Sequence, residues 1–364
     1  MERYIEKIET ILLGQSFEKK LHTYSSVEGL RIIGAELNGE RCIIADGSKA
    51  FRFEGDHKGG ASGIRVCPMN HTNRVLLNRE FPYTAPASLG NVNEAACFTE
   101  FSMEGSEDLL KTMKEAGIGP VLVRQNPLSG EEADKAFETA VDEAAWAVYC
   151  AGYREGYGTC IEGVSSAEEV SAALEHSVSM IALNAASAES QVPADEEERA
   201  RKYQKLDEDL KQRLAGDYLM DPDLAEAGIF VDQGTLEETV LRYSEIVNLI
   251  EDVFRLMRRS MRRLDLEVSL KDVTQPTAAF AHCFIAAELE RRRVHLNAIE
   301  LKDPEPEDLR LHCMIAERFG HRISADGCGR MPELLKGEKR DEVNHFQETG
   351  RICLRRQTEA TDRQ

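Results

Sequence analysis

From about residue 105 onward, helical patterns alternate with short apolar runs of β type, and this rhythm constrains the fold more than any other feature. Short strands that are linked through helices pair in parallel within one sheet. The sequence therefore predicts an α/β fold, with a TIM-like (β/α) barrel as the leading candidate. We recognise about five runs, fewer than the eight strands of a complete barrel, so the barrel is expected to be incomplete. The runs lie at 120–123, 179–183, 264–270, 294–301 and 322–324.

The clearest single element is a helix predicted over Leu236–Arg263. Its apolar residues recur at alternating spacings of four and three, which places them on one continuous stripe from 236 to 261. Thr235 followed by Glu238 has the pattern of a capping box. Such a stripe is typical of a helix packed on a core, but it would also suit a coiled-coil seam with a protein partner. The sequence leaves both interpretations open.

Residues 1–85 have a different character and predict a separate α+β portion. A helical pattern at Tyr4–Leu13 is followed by β-type runs at Leu30–Ile33 and Arg41–Ile44. The glycine-rich segment Gly59–Gly63 lacks the spacing of a G-x-G-x-x-G phosphate-binding loop. We therefore interpret it as a hairpin or loop.

The predicted organisation is an N-terminal α+β portion over residues 1–85, a barrel-like domain over 86–335 and a charged tail over 336–364. About 37 residues follow Gly327, and they are polar and strand-poor. One edge of the sheet is therefore expected to lack a partner strand. A homo-oligomer, or the N-terminal portion of the same chain, would then cover that edge.

Composition excludes several classes of partner. The formal net charge of −20 repels nucleic acid and anionic lipid. The sequence contains no apolar run of about 18 residues, so no membrane span is predicted. Met1–Lys20 is charged and lacks the apolar core of a signal peptide, so we expect a cytoplasmic protein. The nine cysteines are scattered without a C-x-x-C pair, which is typical of reduced thiols.

Four ordered stretches lie between about residues 65 and 327. They are Asn70-His71 with Phe81-Pro82 and Ser88-Leu89-Gly90; Asp142–Trp146 with Gly152–Gly158; Leu266–Leu270 with Pro276-Thr277, His282 and Glu288-Leu289; and His312, Ile315-Ala316, Phe319 and Ile323-Ser324. In this order they resemble the tagaturonate epimerase family. The resemblance implies a TIM-like barrel, a divalent metal cofactor and a small sugar acid as substrate. The family chemistry is the epimerisation of tagaturonate and fructuronate, which needs a base, an acid and a Lewis acid.

The sequence departs from the family at the motif positions themselves. Asn93 and Glu94 stand where the family carries Asp and Arg of a Gly-Asp-Arg motif. Lys271 and Asp272 stand where the strand of the family resembles Ser-Val-Asp-Glu-Thr. Asp326 matches a histidine of a Leu-His-Ser-Gly stretch and can still coordinate a hard cation.

The candidate catalytic residues are Asp272, Glu267 and Lys271. Asp272 follows a predicted strand, where barrel enzymes place their catalytic groups. Glu267 lies inside that strand, so it either points into the barrel as a functional acid or faces a helix as a paired charge. Lys271 would serve as an electrophile or as an anchor for a carboxylate.

The candidate metal ligands are Asp326 and His282, and the candidate substrate-binding residues are Gln125 and Asn93. Gln125 follows the 120–123 strand and would otherwise cap a loop. His282 lies between Phe280 and Phe284 and would otherwise be a packed helix residue. Asn93 cannot act as a base, so only a binding role is assigned to it.

Three functional hypotheses follow. The first is a relative of the epimerases that keeps sugar-acid or metal binding but has impaired or altered catalysis. The second is an active, metal-dependent sugar epimerase or isomerase with a rewired site. The third is a non-catalytic interaction protein that uses the 236–261 helix.

Overall fold

The computed structural model describes residues 1–60, 63–90, 94–98, 101, 106–125, 131–219, 221–305, 308–326 and 350–354. The chain forms two compact units. The first comprises Met1–Leu89, Cys97–Cys160 and His176–Ser179, and the second comprises Gly90–Ala96, Ile161–Glu175 and Met180–Gln364.

The secondary structure alternates as the sequence predicts. The helices are α1 (Glu2–Ile11), α2 (His71–Glu80), α3 (Ser106–Ala116), α4 (Glu131–Cys150), α5 (Ala167–Glu175), α6 (Glu196–Tyr203), α7 (Glu208–Tyr218), α8 (Pro222–Glu226), α9 (Gln233–Arg259), α10 (Ala279–Arg291) and α11 (Leu309–Phe319). The strands are β1 (Phe17–Val27), β2 (Leu30–Leu37), β3 (Glu40–Asp46), β4 (Asp56–Lys58), β5 (Ile64–Pro68), β6 (Glu94–Phe98), β7 (Gly119–Gln125), β8 (Gly158–Val164), β9 (Met180–Asn184), β10 (Asp265–Ser269), β11 (Ala298–Glu300), β12 (Arg322–Asp326) and β13 (Gly350–Leu354).

An antiparallel sheet, with strand order β1-β2-β3-β5-β4, is the framework of the first unit. Its strands alternate their apolar side chains between two clusters. Ile33 and Ile44 pack with Tyr4 and Ile8 of α1, whereas Ile32 and its neighbours pack with Trp146 and Tyr149 of α4. The sheet is therefore covered by helices on both faces, which confirms α+β architecture for the N-terminal residues. The predicted domain boundary at residue 85 stays a prediction.

The glycine-rich segment Gly59–Gly63 joins two strands that pair antiparallel, β4 and β5. Gly63 has no room for a side chain, because a Cβ atom there would lie 1.8 Å from the carbonyl oxygen of Lys58. The glycine is required by this close approach of backbone to backbone. Strands β4 and β5 thus form a hairpin, one of the two structures that the sequence predicts here.

The stretches that carry the family resemblance in this unit have structural roles. Asn70 caps α2, since its side chain accepts a hydrogen bond from the amide of Asn73. Arg74 Nε donates to Asp142 Oδ1 at 2.6 Å and joins α2 to α4. Trp146 is buried in the core.

The other eight described strands close into a barrel in the order β10-β11-β12-β13-β6-β7-β8-β9. The pairs β9–β10, β10–β11 and β11–β12 are parallel. The pair β12–β13 is antiparallel, with Ile323 opposite Leu354. Seven described strands therefore form the β/α portion, one fewer than in a complete (β/α) barrel. The edge of β12 that we expected to lack a partner is covered by β13, which forms in the polar segment predicted to be strand-poor.

The long helix of the second unit is α9, and it begins three residues earlier than the stripe predicts. Asp232 is its N-cap and accepts a hydrogen bond from the amide of Thr235, so the predicted Thr235–Glu238 capping box is wrong. Most of the apolar stripe, including Leu236 and Ile250, is buried. Because these side chains are already covered within the unit, the coiled-coil interpretation loses its physical basis. Within the described residues, no helix is long and apolar enough to cross a membrane.

The polar segment that precedes α9 folds into three helices, α6, α7 and α8. Helix α7 is fixed to α10 by Glu288, which is buried. Both oxygens of Glu288 accept hydrogen bonds from Arg213, at 2.8 and 3.1 Å. Tyr218 and Arg291 donate to the same carboxylate. The sequence predicts the helix but not the contacts of Glu288 with Arg213 and Tyr218, which lie 75 and 70 positions away.

Candidate functional site

Polar side chains gather at the carboxyl ends of consecutive barrel strands in the second unit. Parallel strands present these ends at one edge, which is where barrel enzymes build their sites. Lys271 and Asp272 lie two and three residues beyond the end of β10. The residues within the strands are Glu162 near the end of β8, Asn184 at the end of β9, Ser269 at the end of β10 and Glu300 at the end of β11.

Lys271 forms an ion pair with Glu162. Its Nζ atom lies 3.4 Å from Oε1 of the carboxylate. The Glu162 side chain is 11% exposed and that of Lys271 is 35% exposed. The pair therefore places a positive charge directly beside a largely buried carboxylate at the strand ends.

The described contact of the Asp272 carboxylate is with the side-chain amide of Asn184, not with a cation. Asn184 Nδ2 donates to Asp272 Oδ2 at 2.8 Å, and Asn184 Oδ1 accepts from the amide of Ala186. The second contact fixes the orientation of the Asn184 side chain. Asp272 is consequently positioned at the strand ends, as the sequence predicts, with a partner that the sequence did not identify.

Ser269 and Glu300 form a third pair, on neighbouring strands at the same register. The hydroxyl of Ser269 donates to Oε2 of Glu300, and both side chains are buried. Glu267 lies two residues earlier on the same face of β10, since side chains two apart in a strand point the same way. It is fully buried and lies about 7 Å deeper along the strand than Ser269. Its assignment as a catalytic acid stays a prediction.

Three candidate residues have side chains outside the described part of the structure. Asn93 lies wholly outside the described residues. Gln125 and Asp326 are the last residues of β7 and β12, so their backbones are at strand ends as predicted. Their roles in binding substrate or metal stay predictions.

His282 lies in α10 and is fully buried against two other histidines. Its Nδ1 atom is 3.0 Å from Nδ1 of His312, and its Nε2 atom is 2.8 Å from Nε2 of His321. Burial lowers the pKa of His282 well below its ordinary value, and the neighbouring histidines lower it further. Burial also lowers the pKa of His312 to about 4. These distances and low pKa values fit neutral rings that pack against one another. They favour the interpretation of His282 as a packed helix residue.

These buried rings predict a pH-dependent stability. Histidines of the unfolded chain have a pKa of about 6.5. At pH values below 6.5 but above the lowered pKa of the folded state, these histidines bind protons in the unfolded chain but not in the folded chain. The free energy of unfolding should therefore fall as the pH drops from 6.5 to 4, by up to about 1.4 kcal/mol per pH unit for each histidine. Urea unfolding across this range should show a shallower fall for His312→Gln than for His295→Gln, because His295 is exposed. Equal slopes would contradict the assignment.

Among the described residues, no three metal-type ligands converge at the strand ends. Glu162 is paired there with Lys271, and His282 lies in α10, where both its ring nitrogens face other histidines. The part of the chain that the structure describes has one converging group of metal-type ligands, formed by His71, Glu138 and Asp142. That group lies on α2 and α4, and Arg74 already supplies a positive charge to Asp142 at 2.6 Å. We interpret it as a bridge of polar contacts between two helices.

The comparison with known proteins decides the family. The family model for tagaturonate epimerase matches residues 28–304, which is most of the chain. The chain belongs to the tagaturonate epimerase family. The match includes β8 to β11 and therefore all the strand-end pairs described above.

Curated and solved members of the family are distant in sequence. The tagaturonate/fructuronate epimerase of Thermotoga maritima is 22% identical over 300 residues, which are 79% of this chain and 60% of that protein. The chain thus spans less than two thirds of the length of this relative. The native structure of the fructuronate-tagaturonate epimerase UxaE from Cohnella laeviribosi matches with a TM-score of 0.78 at 23% identity, over 95% of this chain and 73% of that one. A structure of the same enzyme with two glycerol molecules has a TM-score of 0.79. These matches confirm the barrel-type fold.

Sequence reasoning missed Glu162, Asn184 and Glu300 as members of the site. The sequence held a signal for these residues, because each is a polar residue near the end of an apolar run. The ion pair of Glu162 with Lys271 could not be predicted, since the two residues are 109 positions apart. Only the barrel brings the ends of these strands to one edge.

Proposed function

We propose that the protein binds a hexuronate at the carboxyl ends of its barrel strands and that its epimerisation chemistry is impaired. The family supports a sugar acid as the ligand class. The observation that carries the proposal is the ion pair of Lys271 with Glu162 at 3.4 Å. The ammonium group brings a fixed positive charge to the site, where the family resemblance implies a metal-dependent reaction.

A lysine can bind the oxygens of a sugar, but it supports epimerisation less well than a divalent cation does. Its three N–H donors hydrogen-bond to hydroxyl and carbonyl oxygens. A divalent cation carries twice the charge and polarises an oxygen as negative charge develops in the transition state. We therefore expect binding to be kept and the rate of epimerisation to be reduced. Binding of a divalent cation through Asp326 remains a separate proposal.

The position of Asp272 also supports reduced catalysis. A general base must reach the proton that it removes. Asp272 is shorter than the glutamate at the matching family position, and Asn184 donates to one of its oxygens. In the second hypothesis, an active enzyme with a rewired site, Asp272 would have to release that contact and act as the base. Turnover of a hexuronate that is present in the wild-type protein and lost in Asp272→Asn would favour that hypothesis.

The binding half of the proposal is tested by calorimetry. Tagaturonate and fructuronate are titrated into the protein in the presence of a chelator, and we expect binding of both. Lys271→Met should weaken the affinity about tenfold, the typical value of a hydrogen bond to a charged group. Lys114→Met is the matched control, because Lys114 is exposed and paired with the exposed Glu155. No binding by the wild-type protein, or equal loss in both variants, would overturn the proposal.

A further inference from the structure

A cavity of about 350 Å³ lies within the second unit, where α6 approaches the first turns of α9 and α10. Its volume is within the range of about 300–1,000 Å³ that is typical of small-molecule sites. Two arginines contribute to its wall, Arg199 of α6 and Arg242 of α9. Gln275, from the connection between β10 and α10, also lines it.

The guanidinium group of Arg199 has a buried N–H donor that no acceptor satisfies among the described residues. Its side chain is 13% exposed, and its Nε atom is buried without a hydrogen-bond partner among the described residues. Its ion pair with Glu196 is long, at 3.7 Å, and the Glu196 side chain is 86% exposed. A buried N–H donor on a charged group without an acceptor is costly. The group is therefore suited to an acceptor that enters the cavity.

The other charged groups of the cavity wall already have partners. Glu238 accepts from Arg242 Nη2 at 2.8 Å, and Arg242 Nη1 also pairs with Glu189. Asp232 caps α9 through the amide of Thr235 at 2.7 Å. Two of the three wall carboxylates are thus satisfied within the protein, and the third, Glu196, is mostly in solvent. Arg199 is also attracted to Asp232, but its Nε donor has no hydrogen-bond partner among the described residues.

The start of α10 adds further donors on the same cavity. Its N-cap residue is Ala278, and no side chain caps the first turn in the described structure. Ala278 and Ala281 both line the cavity. The first amides of a helix have no partner within the helix and carry a partial positive charge. These amides and Arg199 would stabilise the same negative charge.

We propose that this cavity binds a small oxyanion and that, in the hexuronate complex, it holds the carboxylate of the sugar acid. A chain with a net charge of −20 repels an anionic ligand, so a local cation is needed to hold one. Gln275 follows Asp272 by three residues, which places their Cα atoms within about 11 Å. The identity of the ligand rests on the proposed hexuronate binding, whereas the anion site itself does not.

The test compares two arginines of the same helix. Arg199→Gln removes the charge at the cavity, and Arg201→Gln removes a charge from the exposed side of α6, where Arg201 Nε bonds to the carbonyl of Glu197. In calorimetry with tagaturonate we expect about tenfold or greater weakening for Arg199→Gln and little change for Arg201→Gln. The uncharged ketohexose tagatose should bind the wild-type protein and Arg199→Gln with similar affinity. Circular dichroism of both variants checks that they are folded.

Each outcome separates this inference from the proposed function. If Arg199→Gln keeps the wild-type affinity for tagaturonate while Lys271→Met loses it, the cavity is not the carboxylate subsite and hexuronate binding stands. If the wild-type protein binds no hexuronate, inorganic phosphate is titrated instead. Phosphate binding that depends on Arg199 would then support an anion site for a phosphorylated ligand. Absence of any phosphate signal would overturn the inference.

Discussion

Replacing Lys271 by aspartate is expected to raise the affinity of the strand ends for a divalent cation by about tenfold or more. The substitution removes the ammonium group that lies 3.4 Å from Glu162 and adds a second carboxylate near it. Two unit charges about 4 Å apart interact by about 4 kcal/mol at the effective dielectric constant of a protein surface. Removing an attraction and adding a repulsion therefore leaves a site that a hard cation would stabilise. Combining Lys271→Asp with Asp272→Glu should extend the effect, because it restores both acids of the family pattern.

The measurement is the metal content of the dialysed protein by elemental analysis, followed by titration with Mn²⁺. Lys114→Asp is the matched control. It makes the same change of charge beside another carboxylate, Glu155, but in a pair whose two side chains are both more than half exposed. Equal metal affinity in the two variants would show that net charge, and not the geometry of the strand ends, controls binding.

Replacing Glu288 by alanine should lower the free energy of unfolding by about 3 kcal/mol, the lower end of the range for breaking a buried ion pair. Burial alone would raise the pKa of Glu288, but hydrogen bonds from Arg213 and Arg291 outweigh it and hold the pKa below its ordinary value. The lower end is expected because Arg213 is 26% exposed and Arg291 is 47% exposed, so both can regain water. The loss should be present at neutral pH, where the wild-type carboxylate is ionised.

Urea unfolding at pH 7 measures this loss. Glu290→Ala is the control, since Glu290 lies on the same helix but is exposed. It should change the free energy of unfolding by about 0.5 kcal/mol or less. A loss for Glu288→Ala as small as that of the control would mean that the network joining α7 to α10 contributes little.

The fold could be predicted where hydrophobic patterning decides the structure. The stripe of α9 and the apolar runs of β9 and β10 are visible because their side chains are buried. Strand β13 was missed because its apolar residues, Ile352–Leu354, form a run of only three within a charged segment, which is shorter than the run that marks a strand. The start of α9 was misplaced because Asp232 and Thr235 are both good capping residues, and only the backbone conformation distinguishes them.

The site could be predicted only in part, because local patterns mark strand ends but not contacts between distant residues. Lys271 and Asp272 were identifiable because they follow an apolar run, which marks the end of a strand. Their partners, Glu162 and Asn184, are 109 and 88 residues away, and no local pattern reports such a distance. His282 was assigned as a ligand from its residue type, whereas its environment of buried histidines depends on how α10 and α11 pack.

The central claim is that the protein binds a hexuronate without efficient epimerisation, and ligand-observed NMR of tagaturonate tests it most directly. Carbon-labelled tagaturonate is incubated with a low proportion of protein, with and without added divalent metal. We expect its signals to broaden through exchange with the bound state, to sharpen in Lys271→Met, and to remain those of tagaturonate throughout. Conversion to an equilibrium mixture with fructuronate would contradict impaired catalysis, and unbroadened signals in the wild-type sample would contradict hexuronate binding.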